Sequence, residues 1–187
     1  MMAGMKSTNL FVGAVSAVLC VATAGNVRAS GQVVAAGARY HMQHSVFERL
    51  PFGEGDMSYG LAYEIHEEDA FWQLAVEVAP DLEPAAGPDP KLGELDYAVT
   101  PQLNLLLKDA RKLVVQGGVG VLSTYQHGKQ DAEWMDPYFQ FLLGLGLPLG
   151  KRLQLDVYAS YPFKDWGALD QFEFEDVEFV VWLGYRF

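Results

Sequence analysis

The feature that most restricts this chain is a strict alternation of apolar and polar side chains close to its C-terminal end. In Leu153–Phe163 the residues at odd positions are Leu, Leu, Val, Ala, Tyr and Phe, and Gln, Asp, Tyr and Ser stand between them. A period of two places these two sets on opposite faces of a β-strand, whereas a helix repeats its apolar residues every three or four positions. The segment therefore predicts a strand with one apolar and one polar face.

The same alternation recurs along the chain and predicts eight strands. They are Val33–His44, Tyr59–His66, Trp72–Ala79, Leu95–Leu107, Lys112–Tyr125, Tyr138–Pro148, Leu153–Phe163 and Asp176–Phe187. The connections alternate between about four residues and about a dozen or more, which is typical of a transmembrane barrel with tight turns at one end and loops at the other. The sequence thus predicts an all-β fold, an eight-stranded antiparallel up-and-down transmembrane β-barrel.

The N-terminal segment predicts export. Leu10–Val21 is a continuous apolar stretch that follows Lys6 and precedes small residues, so we expect a signal peptide at 1–29 that is cleaved after Ala29 or Ala24. A membrane anchor is the alternative, but roughly a dozen residues are too few to cross about 30 Å of hydrocarbon as a helix. The barrel domain is predicted to occupy the rest of the chain.

The exported domain, residues 30–187, is strongly acidic and has no cysteine. Loss of Lys6 and Arg28 leaves 11 of the 13 basic residues and all 24 acidic ones, a net charge of −13. Cys20 lies in the signal peptide, so the domain must fold without disulfides. Because phosphate repels such an anion, nucleic acid is excluded as a partner.

Charged residues are unevenly divided between the connections. Acidic residues predominate in the long connections, and basic residues gather at two of the short turns, at Lys108, Arg111, Lys112, Lys151 and Arg152. This distribution predicts an acidic outer rim and a more basic inner rim. Seven aromatic residues lie near predicted strand ends, where aromatic girdles form in membrane barrels. They are Tyr40, Tyr59, Trp72, Tyr97, Phe163, Tyr185 and Phe187.

The final strand places Phe179, Val181, Leu183, Tyr185 and Phe187 on one face, and the last of these ends the sequence. This strand resembles the C-terminal strand by which the insertion machinery recognises bacterial outer-membrane β-barrel proteins. Together with the signal peptide and the eight strands, the resemblance covers essentially the whole chain and is to the small OmpA-like and OmpX-like superfamily. It implies residence in the outer membrane as a monomer, with membrane lipid, lipopolysaccharide and the insertion machinery as partners.

The inward faces of the strands predict a polar lumen. Eight strands enclose a space just wide enough for side chains to fill, so the lumen should be a plugged core rather than an open pore. Its predicted charged members are Arg39, Glu64, Glu77, Asp96, Asp156, Glu178 and Arg186. We expect the two arginines to be held among the carboxylates, because a buried charge must be paired or hydrogen-bonded.

Three groups of residues could carry chemistry. The lumen carboxylates, near His41 and His66, could transfer protons or bind a cation, although structural ion-pair networks look the same in sequence. Ser123 and His127, with Asp131 or Glu133, could form an acyl-transfer triad. Lipid A 3-O-deacylases use such residues, but "STYQHGKQ" lacks the histidine-any-serine-asparagine run of that family. The structural alternative is that these residues belong to the rim of a loop and that His127 has no catalytic role there.

The third group is acidic and lies in the last long connection. Its members are Asp165, Asp170, Glu173, Glu175 and Asp176. Carboxylates attract hard cations, but the spacing is not that of an EF-hand, so we expect diffuse cation attraction and no dedicated metal site or cofactor.

The sequence thus favours a non-enzymatic outer-membrane protein for envelope integrity, adhesion or small-solute passage. A lipid-modifying barrel enzyme and a secreted lipocalin-like binder are the alternatives.

Overall fold

The computed structural model describes residues 31–42, 50–80, 82, 92–109, 114–164, 166 and 172–187, so the predicted signal peptide lies outside the described residues. The strands are β1 Gly31–Tyr40, β2 Met57–His66, β3 Ala70–Pro80, β4 Leu95–Lys108, β5 Val114–Leu122, β6 Tyr125–Gly128, β7 Ala132–Trp134, β8 Tyr138–Pro148, β9 Leu153–Phe163 and β10 Glu178–Arg186. A three-residue 3-10 helix, Phe174–Asp176, precedes β10. Among the described residues no helix has the length and apolar character needed to cross a membrane.

Eight of these strands close into a barrel. Each pairs antiparallel with its neighbours in the order β1, β2, β3, β4, β5, β8, β9 and β10, and β10 pairs with β1 at the seam. The seam register runs without a slip from Val33 opposite Arg186 to Tyr40 opposite Phe179. Because each strand has two partners, the barrel wall satisfies its own backbone groups. The predicted eight-stranded antiparallel up-and-down barrel is confirmed.

The fifth predicted strand, Lys112–Tyr125, is broken in the structure. β5 pairs with the second half of β4, and β6 pairs with the first half, on either side of Pro101. Proline has no N–H to donate to the ladder, so the break falls where the pairing partner cannot complete it. β6 then turns back into β7, so the predicted long connection at 126–137 contains a β-hairpin that extends the wall.

The first predicted strand, Val33–His44, is also shorter than expected. β1 ends at Tyr40, and residues 43 and 44 lie outside the described residues. The short connections, such as 67–69 and 149–152, lie at the end of the barrel that holds the start of β1 and the end of β10. We name this the turn end and the opposite one the loop end. Gly150, in a turn, has a φ of 101°, a left-handed conformation that favours glycine.

The outward face of the wall is apolar. An eleven-residue strand such as β9, tilted by about 40°, spans about 28 Å, close to the thickness of a bilayer core. We name this apolar outward surface the belt. Its exposed side chains include Leu103, Leu107, Val115, Val119, Leu143, Leu145, Leu147, Leu153, Val157, Val181 and Leu183. Exposing so large an apolar surface to water would cost free energy, whereas contact with lipid would not.

The inward face combines tight packing with polar groups. Trp182 lies in the lumen against Gly37 and Gly60, where a Cβ atom would come within 2.3 Å and 3.0 Å of its ring. At the loop end the interior becomes apolar and forms what we name the cap. The cap consists of Leu50, Phe52, Ala79, Leu82, Leu92, Leu95, Ala98, Leu122 and Tyr138. Four of its members, Leu50, Phe52, Leu82 and Leu92, come from the connections, and their side chains are buried at that end.

Candidate functional site: the polar lumen

Arg39 is the centre of a hydrogen-bonded network inside the barrel. Its side chain is 4% exposed, and Nε donates to Glu77 Oε2 at 2.8 Å while Nη1 donates to Glu178 Oε2 at 2.9 Å. Further guanidinium N–H groups donate to Gln102, Gln140 and Ser160. A guanidinium has five donors in a fixed fork, and this network occupies them with two carboxylates and neutral acceptors. The structure thus brings together Arg39, Glu77 and Glu178.

A chain of three side chains extends this network toward the loop end. His41 Nδ1 lies 2.7 Å from Glu178 Oε1, and His41 Nε2 lies 2.5 Å from Ser58 Oγ. The imidazole also stacks on Phe52 of the cap, with ring centroids 3.8 Å apart. If the carboxylate is ionised and the ring neutral, Nδ1–H donates to Glu178 and Ser58 donates to Nε2. This is the connectivity of an acid, base and hydroxyl triad.

The network continues toward the turn end through amide side chains. Gln140 Nε2 donates to Asn104 Oδ1 at 2.7 Å, and Asn104 Nδ2 donates to Gln73 Oε1 at 2.9 Å. Gln73 Nε2 donates to Glu64 Oε1 at 2.9 Å, and His66 Nε2 lies 2.7 Å from the other Glu64 oxygen. Hydrogen bonds therefore connect the predicted lumen carboxylate Glu64 to Arg39 across the middle of the barrel.

Asp156 forms a separate cluster near the turn end. Its carboxylate accepts hydrogen bonds from Gln116 Nε2 and Gln154 Nε2, the first at 2.8 Å. Arg186, predicted to be held among the lumen carboxylates, is instead exposed at the turn-end mouth, where Nη2 donates to Gln154 Oε1 at 3.1 Å. The prediction for Arg186 was wrong because its strand position is inward-facing but too close to the end of the barrel to be enclosed.

Asp96 lies outside the lumen, so its predicted place in the network was also wrong. Its side chain is 45% exposed, and Oδ2 lies 3.7 Å from His127 Nδ1. The register of β4 against β6 is irregular between Leu95 and Tyr97, and Leu95 is buried in the cap. Such a bulge reverses which residues face inward, and alternation alone does not reveal it.

The structure does not assemble the serine and histidine that the sequence singled out. Ser123 Oγ donates to the carbonyl of Met135, and the His127 ring stacks on Tyr97 with centroids 4.7 Å apart. Asp131 accepts a hydrogen bond from the N–H of Ala132. Among the described contacts none joins Ser123 to His127 or His127 to Asp131 or Glu133. These residues thus belong to the bend and hairpin that extend the wall.

The last long connection places its acidic residues in different surroundings. Glu173 and Glu175 are exposed, Asp176 is buried, and Asp165 and Asp170 lie outside the described residues. Within the part of the chain that the structure describes, no three acidic, histidine or cysteine side chains form a group that could hold a metal ion.

The turn end is less uniformly basic than its sequence suggests. Lys151 and Arg152 are exposed there, but the turn between β2 and β3 carries acidic residues at 67–69. Arg111 and Lys112 lie outside the described residues. The rim at this end is therefore mixed in charge, and Lys108, at the end of β4, lies beside the acidic turn, where its Nζ is 3.2 Å from His66 Nδ1.

The C-terminal strand presents its predicted recognition residues outward. Exposure is 55% for Phe179, 41% for Val181, 49% for Leu183, 39% for Tyr185 and 76% for Phe187. These positions alternate with the buried Glu178, Val180 and Trp182, so one strand supplies both the belt and the lumen. Their recognition by the insertion machinery stays a prediction.

Ser58 is the member of the network that sequence reasoning missed. The predicted second strand began at Tyr59, one residue too late to include it. Ser58 lies opposite Arg39 in the β1–β2 register and is 1% exposed. An inward serine two positions before Gly60 continues the same alternation, so extending the pattern by one residue would have found it.

Comparisons with known proteins support the fold. No known protein family matches the chain, and no curated protein matches it significantly. The crystal structure of Neisserial surface protein A (NspA) is similar, with a TM-score of 0.54 and 12% identity, over 86% of this chain and 98% of that chain. The N-terminal β-barrel domain of Pseudomonas aeruginosa OprF gives a TM-score of 0.53 and 10% identity, over 85% and 98%. The chain thus has the fold of the small eight-stranded outer-membrane barrels.

Proposed function

We propose that this protein is a monomeric bacterial outer-membrane barrel with a closed lumen, which acts without catalysis by presenting acidic loops at the cell surface. Its partners are membrane lipid and lipopolysaccharide around the belt and the insertion machinery at the C-terminal strand. Envelope integrity or adhesion is the role that this architecture favours. The predicted signal peptide favours export, and the belt favours a final position in lipid.

The observation that carries the proposal is the inverted distribution of polarity. The wall exposes leucine, valine and aromatic side chains, while Arg39, Glu64, Glu77, Asp156 and Glu178 are all 3% exposed or less. A secreted barrel of the lipocalin type would need the reverse arrangement, because its wall faces water and its ligand cavity is apolar. In lipid only a closed barrel can satisfy the backbone of an extended chain.

The lumen network argues against passive flow of solutes. Side chains from opposite walls meet at Arg39, and the cavity beside it, lined by Arg39, His41, Phe52 and Tyr138 among others, has a volume of about 10 Å³. That is room for about one water molecule. Small-solute passage, the third role suggested by the sequence, would require this network to separate.

The test is refolding of residues 30–187 in detergent micelles and in lipid vesicles. We expect a β-type circular dichroism spectrum that depends on detergent or lipid, and a gel band whose mobility changes on boiling. In planar bilayers we expect no steady conductance from the folded protein. A monomer that folds in plain buffer would contradict the membrane proposal, and a stable open channel would contradict the closed lumen.

A second candidate function is hydrolysis of lipid esters at Ser58. The observation in its favour is the connectivity from Glu178 through His41 to Ser58, which matches a nucleophile with its base and orienting acid. Against it, the serine is 1% exposed, and Phe52 lies on the imidazole, so a substrate would have to displace the cap.

A fluorophosphonate probe separates the two candidates. If Ser58 is an activated nucleophile, the folded protein is labelled, Ser58→Ala is not, and Ser160→Ala, which removes another buried lumen serine, is still labelled. If the proposed non-catalytic function holds, the folded wild-type barrel stays unlabelled while a serine esterase in the same detergent is modified.

A further inference from the structure

Two aromatic rings of the outer wall are buried although they face away from the lumen. Tyr161 and Phe163 lie on the outward face of β9 and are 6% and 3% exposed, whereas Leu153 and Val157 on the same face are 43% and 38% exposed. Something outside the barrel must therefore cover the loop-end part of this face.

The cover comes from the connection between β9 and β10. The Trp166 ring lies against Phe163, with centroids 5.1 Å apart, and the Phe172 ring lies against Tyr161 at 4.5 Å. Trp166 also contacts Phe141 of the neighbouring strand, with centroids 5.7 Å apart. These residues pack on the outside of the wall rather than over the lumen.

The covering segment has two chemically different sides. In the run Phe172, Glu173, Phe174, Glu175 the aromatic and acidic residues alternate, and Glu173 has extended backbone angles of −118° and 132°. Phe174 packs edge-on against Phe172 at 5.6 Å and is 84% exposed. The extended backbone at Glu173 directs its carboxylate away from the side that the flanking Phe172 and Phe174 rings share, and Glu175, in the 3-10 helix, is exposed.

We propose that Trp166, Phe172 and Phe174 form a lipid-docking flap, seated at the boundary between acyl chains and headgroups in the leaflet at the loop end. Trp166 and Phe172 are 55% and 49% exposed, and their ring contacts with Phe163 and Tyr161 join them to the outward face of the wall. Aromatic rings favour this boundary, where one part of the ring is apolar and its edge meets polar groups. The flap adds to the belt apolar surface that comes from a connection and not from a strand.

Lipid fits this surface better than a second copy of the chain. The surface is continuous with the belt, and Glu173 and Glu175 would need water, which the headgroup region supplies and an apolar protein interface does not. This inference rests on the proposed membrane position of the barrel and adds to it a lipid contact at one side of the wall.

Site-directed spin labelling tests the flap directly, because residues 30–187 contain no cysteine. Single variants Phe174→Cys and Trp166→Cys are labelled in the refolded protein in phosphatidylcholine vesicles. Val157→Cys is the reference for lipid, and Glu54→Cys, in an exposed part of the first long connection, is the reference for water. At each site, the collision rate of the spin label with oxygen is then compared with its collision rate with a water-soluble nickel chelate.

We expect the oxygen-to-nickel ratio at Phe174 and Trp166 to approach that at Val157 and to exceed that at Glu54 several-fold. A ratio at both flap sites equal to that at Glu54, with Val157 in lipid, overturns the flap alone. A Val157 label that is open to the nickel chelate overturns the proposed membrane function as well. Spin–spin broadening at the flap sites, lost on dilution with unlabelled protein, would assign the surface to a second copy and also overturn the proposal.

Discussion

The lumen network and the cap are built from the same strands but have opposite chemistry. On β3 the inward residue Glu77 belongs to the network, and Ala79, the next inward residue, belongs to the cap; on β8 the same step separates Gln140 from Tyr138. The change therefore takes place within one inward step along a strand. Along β3 and β8 the alternation of inward and outward residues is the same on both sides of this step, so alternation cannot be its cause.

The surroundings of the wall explain the difference. In lipid an apolar side chain gains little by facing the lumen, because the outside is equally apolar, so the interior can hold polar groups that satisfy one another beside apolar side chains such as Phe71, Leu106 and Trp182. At the loop end the wall leaves the lipid, and Leu50, Phe52, Leu82 and Leu92 gain from leaving water. Charged groups are thus buried inside the wall behind the apolar belt, whereas the interior at the loop end is filled by apolar side chains.

The largest effect should come from removing the one cation at the centre of the lumen network. Arg39→Ala leaves Glu77 and Glu178, which are 3% and 2% exposed, without their guanidinium partner. Breaking a buried ion pair on one side costs about 3–5 kcal/mol, and the free energy of unfolding in urea from lipid vesicles should fall by that amount. The triple variant Arg39→Met, Glu77→Gln, Glu178→Gln should recover much of it, because no buried charge remains unpaired.

An unchanged urea midpoint for Arg39→Ala would show that the network is not required for the stability of the barrel. The outward Val157→Ala, 38% exposed in the wild type, serves as the matched control for a side-chain truncation on the same wall. Its effect should be much smaller, since lipid fills the space that the valine leaves.

Leu92→Ala tests whether the cap behaves as a separate apolar core. Leu92 is 1% exposed, and its carbonyl accepts a hydrogen bond from the N–H of Gln130 in the hairpin turn. A buried Leu→Ala change costs about 2–5 kcal/mol, here lost locally from the cap. Amide hydrogen exchange should accelerate in β6 and β7 and stay unchanged in β1 and β10. Equal acceleration in all strands would mean that cap and barrel unfold together.

Gly37→Ala tests the packing that lets the lumen hold Trp182. The added Cβ would lie 2.3 Å from the Trp182 ring and 2.5 Å from the carbonyl of Val181. Overpacking of this kind costs about 1–3 kcal/mol in the free energy of unfolding, measured in the same urea titration. At Gly117 the nearest atom to an added Cβ is 3.6 Å away, so Gly117→Ala should be close to neutral. Equal losses for the two variants would refute the packing explanation.

Alternation predicted the lumen well and the ends of the barrel poorly. It placed Arg39, Glu77 and Glu178 on inward faces, where the structure joins them, because a period of two is a property of the strand itself. It misplaced Asp96, since a bulge depends on the pairing partner, and Arg186, since enclosure depends on height in the barrel. The cap could not be foreseen because Leu50 and Leu92 lie in irregular connections that have no period to read.

The smallest effect should come from an ion pair on the outside of the cap. Lys129 donates to the carboxylate of Glu94 across the hairpin turn, and both side chains are more than half exposed. The hydrogen bond to Glu94 raises the pKa of Lys129 above its usual value of 10.5. The stabilisation of the folded state by the protonated Lys129 is therefore complete below about pH 10.5 and is lost as the pH rises further.

Because water and salt screen this pair, Lys129→Gln should leave the urea midpoint unchanged at neutral pH, in contrast to Arg39→Ala. The two variants remove one cation each from a carboxylate partner, and they differ in whether water can replace the cation. A loss for Lys129→Gln comparable to that for Arg39→Ala would mean that the cap surface is not open to solvent. The division between a lumen held by buried charges and a cap held by apolar contacts would then fail.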